Sequence, residues 1–143
     1  MKILIVGASG QVGGALLALL KKELNVIGTY YGNKRDKLVH LDITNAEEVD
    51  KVLKEDFDAV ILASALTNVD YCEAHEQDAK KINVEGSKNI VSACKKYNLK
   101  LVYISTDYVF DGKSGPYSED AIPDPINVYG KTKLEAENLV KTL

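Results

Sequence analysis

KILIVGASGQVGGALLALL, residues 2–20, places a short β-rich apolar run against glycines at 7, 10 and 13 and then against an apolar, helix-favouring segment. The first run predicts a strand over Lys2–Val6 and the segment after the turn a helix over residues 11–22. Gly7 permits a tight turn, Gly10 lets the backbone approach a pyrophosphate, and Gly13 lets helix and strand pack closely. The helix start adds free N–H groups and the positive end of the helix dipole, a natural seat for phosphate. A glycine-rich turn can also serve packing alone. Its position after a first strand and before a helix points to dinucleotide binding.

The same alternation continues along the chain. Strands are expected over Asn25–Tyr30 and residues 38–42, 58–63 and 99–105. Thr44 lies three residues before Glu47, a capping-box spacing that opens a helix to about residue 55. Ala79, Ile82, Gly86, Ile90, Ala93 and Tyr97 share one helical face over residues 77–97. A polar loop follows over residues 106–123, and Asp124-Pro125 reads as the cap and first residue of a last helix. Strands apolar throughout, such as AVILA at 59–63, need cover on both faces. The expected fold is therefore α/β, a doubly wound parallel sheet of Rossmann type, with ligands beyond the carboxyl ends of the strands. Residues 1–143 are read as one NAD(P)-binding domain.

A net charge of −3 with both signs interspersed leaves no basic footprint for nucleic acid. The first apolar run is too short to span a membrane and is followed by no signal-peptide cleavage pattern. Cys72 and Cys94 lack CxxC spacing, and His40 and His75 are far apart, so no metal site is expected. The cysteines read as buried small hydrophobes in a reducing compartment, with the cytoplasm as default location.

An NAD site usually carries an acid about 20 residues past the glycines, on the ribose hydroxyls. Here β-rich residues end at Thr29-Tyr30-Tyr31 and the next charges are Lys34 and Arg35. Cations suit a 2′-phosphate by charge-assisted hydrogen bonds, so Tyr30, Lys34 and Arg35 favour NADP(H), with NAD(H) left open. Solvated loop charges are the alternative.

Tyr129 and Lys133 are four apart on the last helix and share a face, while Thr106 sits where the fifth strand ends. Reduction of a carbonyl needs a proton for the developing alkoxide. A phenol can give it, a nearby ammonium favours phenolate, and a threonine hydroxyl can orient the substrate oxygen. A surface Tyr–Lys pair is the plainer reading of that spacing.

GxxGxxG resembles the short-chain dehydrogenase/reductase superfamily, especially its extended branch. STDYVFDG at 105–112 with INVYGKTKLEAE at 126–137 is similar to the dTDP-4-dehydrorhamnose reductase family. The likeness continues through GASGQVG, LDITN, ASALTNVDYCE and INVEGSKNI, and so covers essentially the whole chain. It implies NAD(P)H-dependent reduction of a 4-keto nucleotide sugar in rhamnose synthesis. By position it implies catalytic roles for Thr106, Tyr129 and Lys133. Gly7, Gly10, Gln11 and Val12 fall on the pyrophosphate loop, Asp42 and Ile43 beside adenine, and Ala63, Ser64 and Ala65 along the cofactor. Tyr129 and Lys133 also reach the cofactor. Thr67, Val69, Asp107 and Tyr108 fall on the substrate side, and Asn83 matches a helix asparagine that fixes backbone near the lysine.

Two departures accompany the likeness. Leu62 replaces a usual asparagine, and relatives continue past the YxxxK helix into a domain that shapes the sugar pocket, so a chain truncated at its C-terminus and inactive alone is expected. A surface left open there would self-associate through an apolar patch, giving a homo-oligomer. Two other functions remain open. One is a non-catalytic NADP-binding subunit like the regulatory subunit of methionine adenosyltransferase. The other is a nucleotide-sugar epimerase or dehydratase, for which Asp107 beside Thr106 speaks.

Overall fold

The computed structural model describes all residues 1–143. Five parallel strands form one sheet in the order β3-β2-β1-β4-β5. They are β1 (Lys2–Val6), β2 (Asn25–Tyr30), β3 (Val39–His40), β4 (Ala59–Leu62) and β5 (Lys100–Tyr103). The order reverses beside β1, so the crevice between the ends of β1 and β4 is the topological switch point of the sheet. The expected doubly wound α/β architecture is what the chain adopts.

Helix α1 (Gln11–Leu20) covers one face, where Ile3, Ile5 and Ala8 pack with Leu16, Leu17, Leu20 and Val26. The opposite face carries the larger core, built from Leu4, Val6, Val60 and Leu62 against helix α2 (Ala46–Leu53) and helix α5 (Ser87–Tyr97). Leu4, Leu53, Leu62 and Ile90 are fully enclosed there, and burial of each such side chain contributes about 1.5–3 kcal/mol.

Not every strand is covered on both faces as expected. On β5 the exposure alternates and Val102 is 51% exposed, because α1 is the one helix on that side and β5 lies at the sheet edge.

The start of α2 also differs from expectation. Asn45, not Thr44, is the cap, and its Oδ1 accepts from the Glu47 and Glu48 amides. Thr44 is instead held by Asp42, whose Oδ1 accepts from both its amide and its hydroxyl at 2.8 Å. Asn45→Ala should lower stability by about 1 kcal/mol, read as a shift in the urea midpoint with unchanged slope.

Two short elements escape the sequence reading. Helix α3 (Val69–Ala74) follows β4, capped by Asn68 through the Tyr71 amide. The expected helix over 77–97 is three pieces in continuous succession: α4 (Glu76–Ala79), a π-helical stretch (Lys80–Gly86) and α5. The last helix, α6 (Val128–Val140), begins later than expected. The cap is Asn127, not Asp124, and its Oδ1 accepts from the Gly130 amide at 2.7 Å. No helix is long and apolar enough to cross a membrane.

Candidate functional site

The carboxyl ends of β2 and β4 meet the glycine turn. Gly7 has φ +88, a left-handed conformation that disfavours a side chain, and a Cβ there would lie 2.8 Å from the Ser64 amide nitrogen. The residues after β4, Ala63-Ser64-Ala65, therefore lean directly on the turn. Thr29, which the sequence reading passed over, accepts from the Gly7 amide at 3.1 Å and is buried at the end of β2. A Cβ at Gly13 would lie 2.3 Å from the Gly7 carbonyl oxygen, so helix–strand closeness requires glycine there as expected.

Gly10 caps α1 with no side-chain hydrogen bond, and no acidic residue occupies the first turn. Gln11 and Val12 are exposed beside it. The uncapped amides and the absence of negative charge suit a pyrophosphate, so the turn fits the dinucleotide that its spacing predicts.

A cleft of about 200 Å³ opens beside this turn, and Asp42, Ile43 and Ser64 line it. Its wall also includes Tyr31, Thr44, Asp78 and Lys81. The last two come from the α4–π segment, whose contribution no spacing in the sequence revealed. Tyr30 lies outside the cleft, with its ring edge-on to His40. Arg35 is placed differently from expectation as well. It lines a groove beside α1 with Ala8, Gly14 and Leu38, and the cation in the cleft wall is Lys81. Lys34 is exposed and lines neither cavity.

The second half of the site forms where β5 ends against α6. Thr106 leads into a short 3-10 turn (Asp107–Val109), its Oγ1 accepting from the Tyr108 amide at 3.2 Å. Tyr129 is buried in an apolar cluster with Cys72 and Ala79, and Leu66 and Val69 pack on it. The Tyr108 ring meets it edge-on at 5.7 Å. Burial raises the Tyr129 phenol above the usual tyrosine value, and the Thr106 hydroxyl acts against that rise. Lys133 is 3% exposed, and burial lowers its ammonium to about 8. Its Nζ donates to the Ile104 carbonyl at 2.7 Å and lies 4.1 Å from the centre of the Tyr103 ring.

This corrects one expectation. Lys133 was to favour the phenolate of Tyr129, but its ammonium is engaged at the end of β5 and the phenol's acidity is weakened by its apolar surroundings. Thr106, Tyr129 and Lys133 nevertheless converge on one edge of the sheet.

Asn83 ties the two halves together. Its Oδ1 accepts from the Leu66 amide at 2.8 Å, and its amide donates to the Leu66 carbonyl and to the Thr132 hydroxyl. Thr132, buried and absent from the sequence reading, donates in turn to the Tyr129 carbonyl at 2.9 Å. The backbone after β4 is thus latched to the helix that bears Tyr129.

Of the expected substrate-side residues, Asp107 and Tyr108 line a cavity of about 260 Å³ with Phe110, Asp111, Ile126 and Asn127. Val69 packs on the Tyr129 cluster instead, and Thr67 is exposed on the loop before α3. Cys72 and Cys94 are buried free thiols, the latter pushed up to about 11 by burial.

Known proteins resemble the chain in sequence and in fold. A dTDP-4-dehydrorhamnose reductase from Aggregatibacter actinomycetemcomitans is 40% identical over 99% of the chain and 47% of its own length. Methionine adenosyltransferase 2 subunit beta from Xenopus tropicalis is 38% identical over 97% of the chain and 42% of its own. The crystal structure of a dTDP-4-dehydrorhamnose reductase from Bacillus anthracis, in complex with NADP, superposes with a TM-score of 0.87 at 39% identity. That match covers 99% of this chain and 49% of the other. The chain spans about half the length of the relatives it matches. The family model of the RmlD substrate binding domain matches residues 1–143, and to that family the chain belongs.

Proposed function

We propose that this chain carries the cofactor site and the proton-donating residues of an NAD(P)H-dependent reductase acting on the 4-keto group of dTDP-4-dehydrorhamnose. The observation behind this reading is the convergence of Thr106, Tyr129 and Lys133 at the same sheet edge as the uncapped glycine turn. The reductase relatives and the NADP complex of one of them support it.

The bound nicotinamide would supply hydride to the carbonyl carbon. Gly7, Gly10, Gln11, Val12 and Gly13 would hold the pyrophosphate, Asp42 and Ile43 the adenine side, and Ala63–Ala65 the middle of the cofactor. At the substrate oxygen, the Tyr129 hydroxyl gives its proton as the C–O⁻ forms, and Thr106 orients that oxygen by hydrogen bonding. A phenol made less acidic by burial stays protonated through neutral pH, which keeps the donor loaded. Lys133, one helical turn away and anchored on the Ile104 carbonyl, would hold the ribose hydroxyls of the bound cofactor. Asp107 and Tyr108 face the cavity in which a sugar would be recognised. NADP(H) remains the preferred form, with Lys81 joining Lys34 and Arg35 as candidate partners of a 2′-phosphate.

A second reading rests on the subunit beta relatives: a non-catalytic NADP-binding chain. Calorimetric titration with NADP(H) and NAD(H) tests what both readings share. Binding of NADP(H) in the micromolar range, tighter than NAD(H), is expected, and no heat with either at millimolar concentration would remove the cofactor site. Consumption of NADPH on addition of dTDP-4-dehydrorhamnose to the gene product containing this sequence separates the two readings.

A further inference from the structure

The end of β5 meets the Lys133 ammonium with two successive residues. The Nζ lies 4.1 Å from the centre of the Tyr103 ring and donates to the Ile104 carbonyl at 2.7 Å. Lys133 is 3% exposed, so its charge is held almost out of water. There a cation is drawn most strongly to the negative face of an aromatic ring.

The ring, not the hydroxyl, accounts for a tyrosine at this position. The Tyr103 hydroxyl is buried with no hydrogen-bond partner, and burial keeps the phenol neutral. The other titratable groups near the ammonium stand on its own helix. Tyr129 is a neutral phenol in an apolar cluster. The Glu137 carboxylate is engaged elsewhere, since its Oε1 accepts from the Ser105 hydroxyl and its Oε2 lies 3.9 Å from the Lys141 ammonium. Lys133 is thus met by a π-face and a carbonyl rather than by a carboxylate. The difference matters for its donors. An ammonium has three N–H groups, and Ile104 takes one. A ring face favours the charge without binding a second donor to a lone pair, as a carboxylate would.

We propose that Tyr103 is a positioning residue whose ring face seats the Lys133 cation and leaves its remaining N–H donors for the ribose hydroxyls of the cofactor. The seat is independent of turnover, and its use for the cofactor rests on the reading given under Proposed function.

Three variants separate ring face from packing. Tyr103→Phe keeps the face, and Tyr103→Leu removes it. Pentafluorophenylalanine at position 103 keeps the ring's shape and reverses the sign of its face, which covers the case that the leucine variant does not fold. The first readout is the titration of Lys133 by NMR of the chain labelled with ¹³C-lysine, without cofactor. Loss of an attraction for the cation moves the midpoint down. Burial already places that midpoint at about 8, and the pentafluoro variant should fall by about one pH unit further, a tenfold change in proton affinity. Tyr103→Phe should stay within about 0.3 units of wild type, since both rings present the same kind of face. An unchanged midpoint in the folded pentafluoro protein overturns the seat, and so does an equal fall in Tyr103→Phe, which would assign the effect to the hydroxyl. The second readout is calorimetry with NADP(H) at pH 8, where that fall takes the charged fraction of Lys133 from about one half to about one tenth. Affinity should drop about fivefold in the pentafluoro variant, in proportion to that fraction, and hold in Tyr103→Phe. A shifted midpoint with unchanged affinity overturns the role toward the cofactor. Absence of NADP(H) binding by the wild-type chain refutes the cofactor reading instead, and the titration still decides the seat.

Discussion

On the proposed reductase reading, Tyr129→Phe in the gene product containing this sequence should reduce NADPH consumption on dTDP-4-dehydrorhamnose by about 10²–10⁴-fold, the span that positioned proton donors contribute. The substitution removes one oxygen and preserves the ring that packs with Cys72, Ala79, Leu66 and Val69. The edge-on contact with Tyr108 at 5.7 Å also survives it. Stability and NADP(H) affinity should therefore change little, and the loss should appear in kcat. The Tyr129 phenol is held above the ordinary tyrosine value by burial, so its acid form persists through neutral pH and the wild-type rate should hold there. Undiminished turnover in the variant would refute the role given to Tyr129. Absent turnover in both proteins, with NADP binding intact, would favour the non-catalytic reading.

The second large effect lies one residue further on. Gly130→Ala places a methyl group 2.1 Å from the Tyr108 carbonyl oxygen and 3.0 Å from Pro125 Cβ. Within a helix, replacing glycine by alanine ordinarily stabilises by about 0.5–1 kcal/mol. Here the sign should reverse. A backbone carbonyl cannot rotate aside like a side chain, so either α6 or the Asp107–Val109 turn must shift. Overpacking of this kind costs about 1–3 kcal/mol, and the closeness of the contact puts Gly130→Ala near the upper end. The displaced turn is the one whose start bears Thr106, so catalysis should fall with stability. Gly32→Ala is the control, since a Cβ there meets nothing within 4 Å. Urea denaturation of the two variants beside wild type decides the matter. A Gly130→Ala protein within about 0.5 kcal/mol of wild type, the ordinary range for surface changes, would contradict the contact.

The sequence made the sheet legible because a buried parallel strand and a glycine turn each leave a local mark. Lys2–Val6 and Asn25–Tyr30 fall where the apolar runs place them, and the glycine turn lies at the switch point. The two Lys133 contacts were beyond such reading. An ammonium on a helix and a carbonyl 29 residues earlier are brought together by packing alone. Lys81 and Asp78 reached the cleft unannounced for a similar reason, since residues in a helical segment show their face only once its phase is known. Asp124 was favoured as a cap by its residue type and the proline after it, yet Asn127, three residues on and equally a capping type, serves instead. Helix α3 left no periodic signal, being six residues long, too short for a stripe to repeat.

That phase is where the π-helical stretch matters. An α-helix turns about 100° per residue, so the extra residue of a wider turn re-indexes everything beyond it. Ala79 before the stretch points into the Tyr129 cluster, while Ile90, Ala93 and Cys94 after it point into the main core. Asn83, within it, reaches Leu66 and Thr132. Lys80–Gly86 thus works as a gear between two faces that a single regular helix would hold in a different alignment. Removing any one residue there would leave composition and helical propensity almost untouched. It would nonetheless force the chain to choose which of its two cores to keep in register.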